Sequence, residues 1–311
     1  MERKKISVLV PCYNEEENVI PISQAIIEQI EKLEKYDYEL IFIDNCSQDT
    51  TREKLEALCG ENKKIKAIFN ARNFGQFNSP FYGYKQTNGD CMITLCCDFQ
   101  DPPEVIPRLV EEWEKGAKIV CAVKKTSKEN RLIRGLRTIY YKLIKKMSEV
   151  EQIEHFTGFG LYDKDFVQVI KDLDDPAPFI RGIVAELGFK KVEISYEQAK
   201  RRAGKTSNNF SRLYDAAMLS FTTYTKSPIR WFMFFGIFVA GLSFLSLVCF
   251  SVLLGLGYKA FELGVILSAI GLFSSVSYIG ISVIGEYLLN VKTKVSKRPL
   301  VIEEKRINFD E

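Results

Sequence analysis

Histidine and net charge are both scarce in this chain, and each scarcity excludes a class of function. Among 311 residues there is a single histidine, His155, which rules out metal sites built from several imidazoles and disfavours a Ser-His-Asp triad. The formal net charge is only +3 and the lysines are dispersed, so we expect no nucleic-acid partner. Residues 1–5 lead directly into a strand-like segment, so we expect no signal peptide.

Zinc-ligand spacing is also missing, although the chain contains eight cysteines. These cysteines lie among strand and helix patterns, and one is part of an apolar run near the C-terminus. We interpret them as reduced thiols in the cytosol that serve mostly as small apolar residues.

Two long apolar runs, residues 231–258 and 263–285, contain no charged side chain. Each exceeds the roughly 20 residues that a helix needs to cross a bilayer core of about 30 Å. Only four residues separate the runs, so we expect a transmembrane helical hairpin within residues 229–290; a pair of buried core helices is the alternative. Lysines and arginines flank both outer ends, which places the N-terminal portion and the tail, residues 291–311, on the cytoplasmic side.

Residues 1–207 alternate strand patterns with helix patterns. We predict strands at residues 6–10, 39–43, 65–69, 92–96 and 119–123, and helices at about 16–33, 50–59, 81–86 and 103–115. This alternation predicts an α/β domain with a mostly parallel sheet that helices flank. Ligands of such sheets bind at the carboxyl ends of the strands.

Polar segments follow the first, second and fourth predicted strands, at those carboxyl ends. Each segment alone is also typical of a helix start: Ser47 or Asp49 can cap the helix near residue 50, and Asp101 can cap the helix that follows it. Three such segments at consecutive ligand-facing ends favour a binding site. The segments are Pro11-Cys12-Tyr13-Asn14-Glu15-Glu16-Glu17, Asp44-Asn45-Cys46-Ser47-Gln48-Asp49-Thr50-Thr51 and Asp98-Phe99-Gln100-Asp101-Pro102-Pro103-Glu104.

These segments resemble the motifs of family 2 glycosyltransferases of the GT-A fold. The resemblance is strongest to the polyprenyl-phosphate branch, which includes dolichyl-phosphate mannose synthases and undecaprenyl-phosphate (bactoprenol) glucosyltransferases. It covers nearly the whole chain, because further matching motifs are Arg72-Asn73-Phe74-Gly75-Gln76, Arg201-Arg202-Ala203-Gly204-Lys205-Thr206, Gly285-Glu286-Tyr287 and Lys297-Arg298-Pro299.

The resemblance implies an architecture and a location. Residues 1–207 would form a cytoplasmic GT-A (Rossmann-like) domain with a mixed, mostly parallel sheet flanked by helices. Residues 208–228 would form a juxtamembrane interfacial helix, followed by the two transmembrane helices and a cytoplasmic tail. The enzyme would then be a multi-pass protein of the plasma (inner) membrane, in contact with membrane lipids; the sequence leaves its oligomeric state open.

The resemblance also assigns roles to particular residues. A nucleotide sugar, UDP- or GDP-linked, would be held by Pro11, Tyr13, Glu15, Asp44, Lys124 and Lys205. Asp98 and Gln100 would bind a divalent metal, Mg²⁺ or Mn²⁺, which suits an oxygen-only set of ligands. Asp98 and Arg201 would be the catalytic residues, with Arg201 and Lys205 closing over the phosphates. The implied reaction is inverting transfer of the sugar to a polyprenyl phosphate.

Departures from the family pattern leave other functions open. Cys96 stands where the first carboxylate of an Asp-x-Asp motif is usual, and Asn45-Cys46 stands where Asp-Gly is usual. The alternatives are a glycosyltransferase that extends a polysaccharide and a catalytically weakened membrane scaffold of the same fold. A basic amphipathic pattern at residues 131–150 predicts a helix that either lies in the membrane interface or packs on the core.

Overall fold

The computed structural model describes residues 3–125, 153–175, 178–203 and 299–309, with scattered helical positions between 218 and 295. The strands are β1 Lys4–Cys12, β2 Tyr36–Asp44, β3 Ile65–Asn70, β4 Cys91–Thr94, β5 Ile119–Lys124, β6 Phe156–Asp163, β7 Lys191–Tyr196 and β8 Glu303–Ile307. The helices are α1 Val19–Glu31, α2 Thr51–Glu61, α3 Gly75–Lys85, α4 Ile106–Glu114, α5 Lys164–Asp172 and α6 Ile180–Glu186, and a 3-10 turn at Pro103–Val105 precedes α4.

Within the described residues the strands form one sheet in the order β7-β5-β6-β4-β1-β2-β3-β8. β1 pairs in parallel with β2 and β4, β2 with β3, and β5 with β7. β6 runs antiparallel between β4 and β5, and β8 runs antiparallel along β3. The predicted mixed α/β sheet with flanking helices is confirmed, and all five predicted strands are present; β6, β7 and β8 were not predicted.

Apolar side chains cover both faces of the sheet, which explains why its central strands are continuous apolar runs. Along β1, Val8 and Val10 belong to a core that includes Ile22 of α1, whereas Leu9 belongs to the core on the other face with Phe81 of α3. The alternation follows from the two-residue repeat of a strand. Helices pack on both faces of the sheet, and the parallel strands β1, β2 and β4 all end on the same side of it.

The C-terminal strand β8 belongs to the same sheet, although the sequence predicted only a tail for residues 291–311. It pairs with β3 over Ala67–Asn70, and the Ala71 backbone N–H donates to the Ile302 carbonyl at 3.0 Å. Past the strand, the Asn308 amide donates to the carbonyl oxygens of Cys59 at 2.7 Å and Ile65 at 2.8 Å. Segments on both sides of residues 204–298 therefore lie in one folded unit.

Several predicted segments lie outside the described residues. Residues 131–150 do so entirely, and residues 208–228 and the predicted hairpin at 229–290 do so for the most part. In the part of the chain that the structure describes, no helix is both long enough and apolar enough to span a bilayer. The seven cysteines of that part are all free and five of them are buried, in agreement with their interpretation as reduced, mostly apolar residues.

Candidate active site

The carboxyl ends of β1, β2 and β4 meet at one edge of the sheet. Cys12 is in register with Asp44, and Leu9 is in register with Thr94. β1 lies between β2 and β4, so the strand order changes direction there, as it does at the ligand-binding crevice of open α/β sheets. The structure thereby brings the three polar segments that follow these strands to a common site.

Backbone strain marks the same edge. Asn14, Cys46 and Phe99 each adopt a left-handed conformation, with φ of 56°, 65° and 62°, and each follows a different one of the three strands. An L-residue in this region costs about 1–2 kcal/mol, and such residues concentrate at binding and catalytic sites. Cys46 occupies the place where the family pattern has glycine, and its positive φ explains that preference.

Hydrogen bonds connect the loop after β1 to the loop after β2. The Asn14 N–H donates to Ser47 Oγ at 2.8 Å, and Asn14 Oδ1 accepts from the Gln48 N–H at 2.8 Å. The Glu15 N–H donates to Thr51 Oγ1 at 2.9 Å. Hydroxyl oxygens of the segment after β2 therefore accept hydrogen bonds from backbone N–H groups of the loop after β1.

The prediction that Ser47 or Asp49 caps α2 is corrected in part. Asp49 Oδ1 accepts from the N–H of Thr51, the first residue of α2, at 3.0 Å, while Asp49 Oδ2 accepts from the Glu16 N–H at 3.2 Å. Ser47 makes no cap: its Oγ accepts from the Asn14 N–H, and its backbone N–H donates to Asp44.

Asp44 ends β2 as a nearly fully buried carboxylate. Its oxygens accept from the backbone N–H of Ser47 at 3.1 Å and from the Ser47 hydroxyl. Burial nevertheless raises the pKa of Asp44, with these hydrogen bonds opposing the shift. Pro11 lies on the adjacent strand β1, in register with Ile43, and Tyr13 and Glu15 follow at partly exposed positions. These four predicted nucleotide-binding residues therefore lie at the same end of the sheet.

The structure brings Asp98, Gln100 and Arg201 together beside the carboxyl end of β4. Asp98 is 4% exposed; its Oδ1 accepts from the Gln100 backbone N–H at 3.1 Å, and its Oδ2 lies 2.8 Å from Arg201 Nη2. Glu15 lies nearby, and its pKa is raised from the ordinary value by burial and by the charge of Asp98. A hydrogen bond from Asn18 and the charge of Arg201 oppose this rise. The site therefore combines two carboxylates with one guanidinium.

The residues around Asp98 are compatible with a divalent metal, although they supply few ligands. Among the described residues, no three histidine, cysteine or acidic side chains lie close enough to form a metal cluster. Cys96 is exposed at the place of the missing carboxylate. The Arg201 ion pair shows that a positive charge is accommodated at the Asp98 carboxylate. Asp98 and Gln100 could hold Mg²⁺ or Mn²⁺ if the phosphates of the donor supplied further oxygens.

The prediction that Asp101 caps the following helix is wrong. The helical turn begins after Pro102 with no side-chain cap. Asp101 instead accepts from the Tyr196 hydroxyl at 2.7 Å and from the Cys96 N–H at 3.2 Å. Burial raises the pKa of Asp101, while the tyrosine hydrogen bond and the charge of Lys124 lower it. Lys124, at the end of β5, is thereby placed beside the site; Lys205 lies outside the described residues.

Sequence reasoning missed Asn45, which connects the ends of β2 and β3. Its Nδ2 donates to Asn73 Oδ1 at 3.0 Å, and its Oδ1 accepts from the Phe74 N–H at 2.9 Å and from Asn70 Nδ2 at 3.1 Å. The signal available was the amide at a position where the family has a carboxylate. Because it both donates and accepts, Asn45 fixes the loop at residues 71–75 beside Asp44.

Asn18 was also missed, because it looks like an ordinary residue at a helix start. It is almost completely buried just before α1. Its Nδ2 donates to Glu15 Oε2 at 2.6 Å and to the Ala203 carbonyl at 3.4 Å. Asn18 therefore connects the loop after β1 to the segment that carries Arg201.

The chain is an α/β protein in which carboxylates and an arginine lie at the switch point of the sheet, the position where open α/β sheets bind their ligands. The family model for glycosyl transferase family 2 matches residues 7–170, which is more than half of the chain. The chain belongs to this family and is a glycosyltransferase.

Similarity to individual relatives extends well beyond the family match. The chain is 33% identical to the bactoprenol glucosyl transferase of Shigella phage SfX, over 97% of this chain and 99% of the relative. It is 32% identical to the prophage bactoprenol glucosyl transferase homolog of Escherichia coli K12, over 96% and 98%. The predicted resemblance to undecaprenyl-phosphate glucosyltransferases is confirmed.

Proposed function

We propose that this enzyme transfers a sugar, with inversion, from a nucleotide diphosphate sugar to a polyprenyl phosphate at the cytoplasmic face of the plasma membrane. The observation that carries the proposal is the similarity to bactoprenol glucosyl transferases along almost the entire chain, including the part that follows the catalytic sheet. The convergence of Asp44, Glu15, Asp98 and Arg201 at one edge supports the choice of donor.

Exposed apolar side chains support contact with a membrane. Among the helical positions described between residues 270 and 295, eight large apolar side chains are more than half exposed: Ile270, Phe273, Ile281, Ile284, Leu288, Leu289, Val291 and Val295. Soluble surfaces rarely expose that many together, whereas a bilayer would cover them. The proposal places Ile270 to Leu289 in the predicted hairpin and Val291 and Val295 at the start of the tail that follows it, with the sheet on the cytoplasmic side.

The chain's own groups suit the proposed reaction. An acceptor phosphate is ionised near neutral pH, so its oxygen can attack the anomeric carbon without a strong base; a single displacement inverts that carbon. The buried carboxylate Asp44 and the partly exposed carboxylate Glu15 can accept hydrogen bonds from the nucleotide. Arg201 can donate two hydrogen bonds to phosphate oxygens. A bound divalent metal would neutralise negative charge on the leaving diphosphate.

The test is sugar transfer by the full chain in detergent micelles. Candidate UDP- and GDP-sugars are supplied with and without undecaprenyl phosphate, and the lipid product is identified by mass spectrometry and its anomeric configuration by NMR. We expect transfer that requires the lipid phosphate and an inverted product. Asp98→Asn should lower the rate by at least about a hundredfold, whereas Glu53→Gln, a change at an exposed acid on α2, should not.

Three outcomes would contradict the proposal. Extension of a glycan without lipid phosphate would favour the polysaccharide alternative. Nucleotide-sugar binding with no transfer from any donor would favour a weakened scaffold. A product with retained configuration would refute the inverting displacement.

A further inference from the structure

Arg201 and Asp98 form an ion pair inside the proposed donor site. Arg201 Nη2 lies 2.8 Å from Asp98 Oδ2, and the Asp98 side chain is only 6% exposed. The next residue adds a second contact, because the Arg202 N–H donates to the Asp98 carbonyl at 3.3 Å. Residues 201 and 202 therefore contact Asp98 in the loop that follows β4.

A separate contact holds the other end of this segment. Asn18 Nδ2 donates both to Glu15 Oε2 and to the Ala203 carbonyl. Asn18 is almost fully buried, so its amide has a fixed position between the two partners. Residues 201–203 are thus anchored on Asp98 at one end and on the loop after β1 at the other.

The ion pair has an electrostatic consequence for metal binding. The carboxylate that Arg201 neutralises is the one that would hold a divalent cation, and the two positive charges compete for it. Among the described residues, no group of three or more histidine, cysteine or acidic side chains offers the cation an alternative site. Donor phosphates change this balance, because they offer Arg201 alternative oxygens and supply further ligands to the metal.

We propose that Arg201 is a displaceable counter-ion of Asp98: it neutralises the carboxylate in the donor-free enzyme and moves to the diphosphate when donor and metal enter together. The inference rests on the proposed function. It predicts that metal alone binds weakly, that nucleotide and metal strengthen each other's binding, and that Arg201 is the origin of most of this coupling.

The test measures Mn²⁺ binding to the full chain in micelles, by electron paramagnetic resonance, without nucleotide and with saturating UDP. Arg201→Ala should bind Mn²⁺ alone about tenfold more tightly than the unmodified chain, because a buried carboxylate has lost its counter-ion. The increase in Mn²⁺ affinity that UDP produces should be smaller in the same variant. Arg201→Lys, which keeps the charge, should restore weak binding of Mn²⁺ alone.

Arg202→Ala is the matched control. Arg202 is the neighbouring arginine, its guanidinium lies over the Phe99 ring, and alanine retains the backbone N–H that contacts Asp98. This variant should bind Mn²⁺ like the unmodified chain. Arg201→Gln provides a second neutral variant should alanine perturb folding, which thermal unfolding would reveal.

Unchanged or weaker binding of Mn²⁺ alone in both folded neutral variants would overturn the proposal. An equal increase in Mn²⁺ affinity in Arg202→Ala would also overturn it, because loss of any nearby positive charge would then explain the effect. Neither measurement involves a lipid acceptor. Failure here therefore leaves lipid-dependent transfer standing, and failure of lipid-dependent transfer leaves this binding result standing.

Discussion

At the scale of single residues, Cys46 illustrates how the site departs from its family. Its φ of 65° is accessible to glycine at no steric cost, but a β-carbon there is strained. Cys46→Gly should therefore raise the free energy of unfolding by about 0.5 kcal/mol, the strain relief exceeding the entropy lost by glycine. Urea unfolding measures the change. Cys46→Ala, which removes the thiol but keeps the β-carbon, should give no gain; equal gains would assign the effect to the thiol.

Asn45 is a second departure, and here the residue that the family prefers should be harmful. Asn45→Asp removes the donor to Asn73 Oδ1 and places a carboxylate against acceptor oxygens at a buried position. We expect the free energy of unfolding to fall by about 2 kcal/mol. The control is Asn73→Asp, because Asn73 contributes an acceptor oxygen that a carboxylate retains. Similar losses in both variants would show that charge alone destabilises this loop.

At the scale of secondary-structure elements, a buried polar cluster connects the amino ends of the strands, opposite the site. Glu39 of β2 is 2% exposed and accepts from Ser7 of β1, from Lys66 of β3 at 2.8 Å and from the Asn88 N–H before β4 at 2.9 Å. Burial alone would raise the pKa of Glu39, but these hydrogen bonds outweigh it and lower the pKa below its ordinary value. One carboxylate thereby connects β2 to three neighbouring chain segments.

The pKa shift of Glu39 predicts a pH-dependent stability difference. Glu39→Gln should lower the free energy of unfolding by about 2 kcal/mol at pH 7. A depressed folded-state pKa stabilises the fold above the ordinary glutamate pKa of about 4.3, and this stabilisation is lost as pH falls through the folded-state pKa. The deficit of the variant should therefore shrink in acid. Urea unfolding from pH 7 down to pH 3 tests this.

The control for Glu39 is Asp37→Asn, which removes the exposed partner of Lys64. Hydrogen bonding by Lys64 also lowers the pKa of Asp37, but solvent screens that pair, so the variant should change stability little at any pH. A deficit in Glu39→Gln that stayed constant down to pH 3 would show that the carboxylate charge is not the cause.

At the scale of the whole molecule, β8 constrains the path of residues 204–298. Strands before and after that segment lie in one sheet, and Lys63 Nζ reaches Asn308 Oδ1 at 3.2 Å. Any membrane crossings between them must therefore be even in number. The apolar runs of the sequence predict two crossings, which would place only residues 259–262 on the far side.

Single reporter cysteines test this topology in a background whose other thiols are replaced. An impermeant maleimide should label Ala260→Cys in intact cells, but should label Lys63→Cys and Glu311→Cys only after permeabilisation, because the membrane shields the cytoplasmic face. Lys63→Cys is the control that reports on which side of the membrane the sheet lies. Labelling of position 311 without position 63 would contradict the shared sheet, and labelling of both in intact cells would contradict the cytoplasmic location.

The sequence by itself determined the five strands of the βα alternation and the position of the site. Those strands are apolar runs bounded by polar residues, a pattern contained in neighbouring residues, and the polar segments that contain Asp44 and Asp98 follow two of them. The pattern of apolar runs did not predict β6, β7 or β8. β8 is short and mostly charged, as its residues Glu303–Ile307 show, so nothing local distinguishes it from a tail.

Tertiary structure alone decided which side chains meet. Asp101 could have capped a helix on local grounds, but the Tyr196 hydroxyl, far along the chain, binds it instead. Arg201 reaches Asp98, and Asn18 reaches Ala203, only because the chain returns to the same sheet edge after β7. A hydrogen bond or ion pair depends on distances between groups that are remote in sequence, and local periodicity carries no information about those distances.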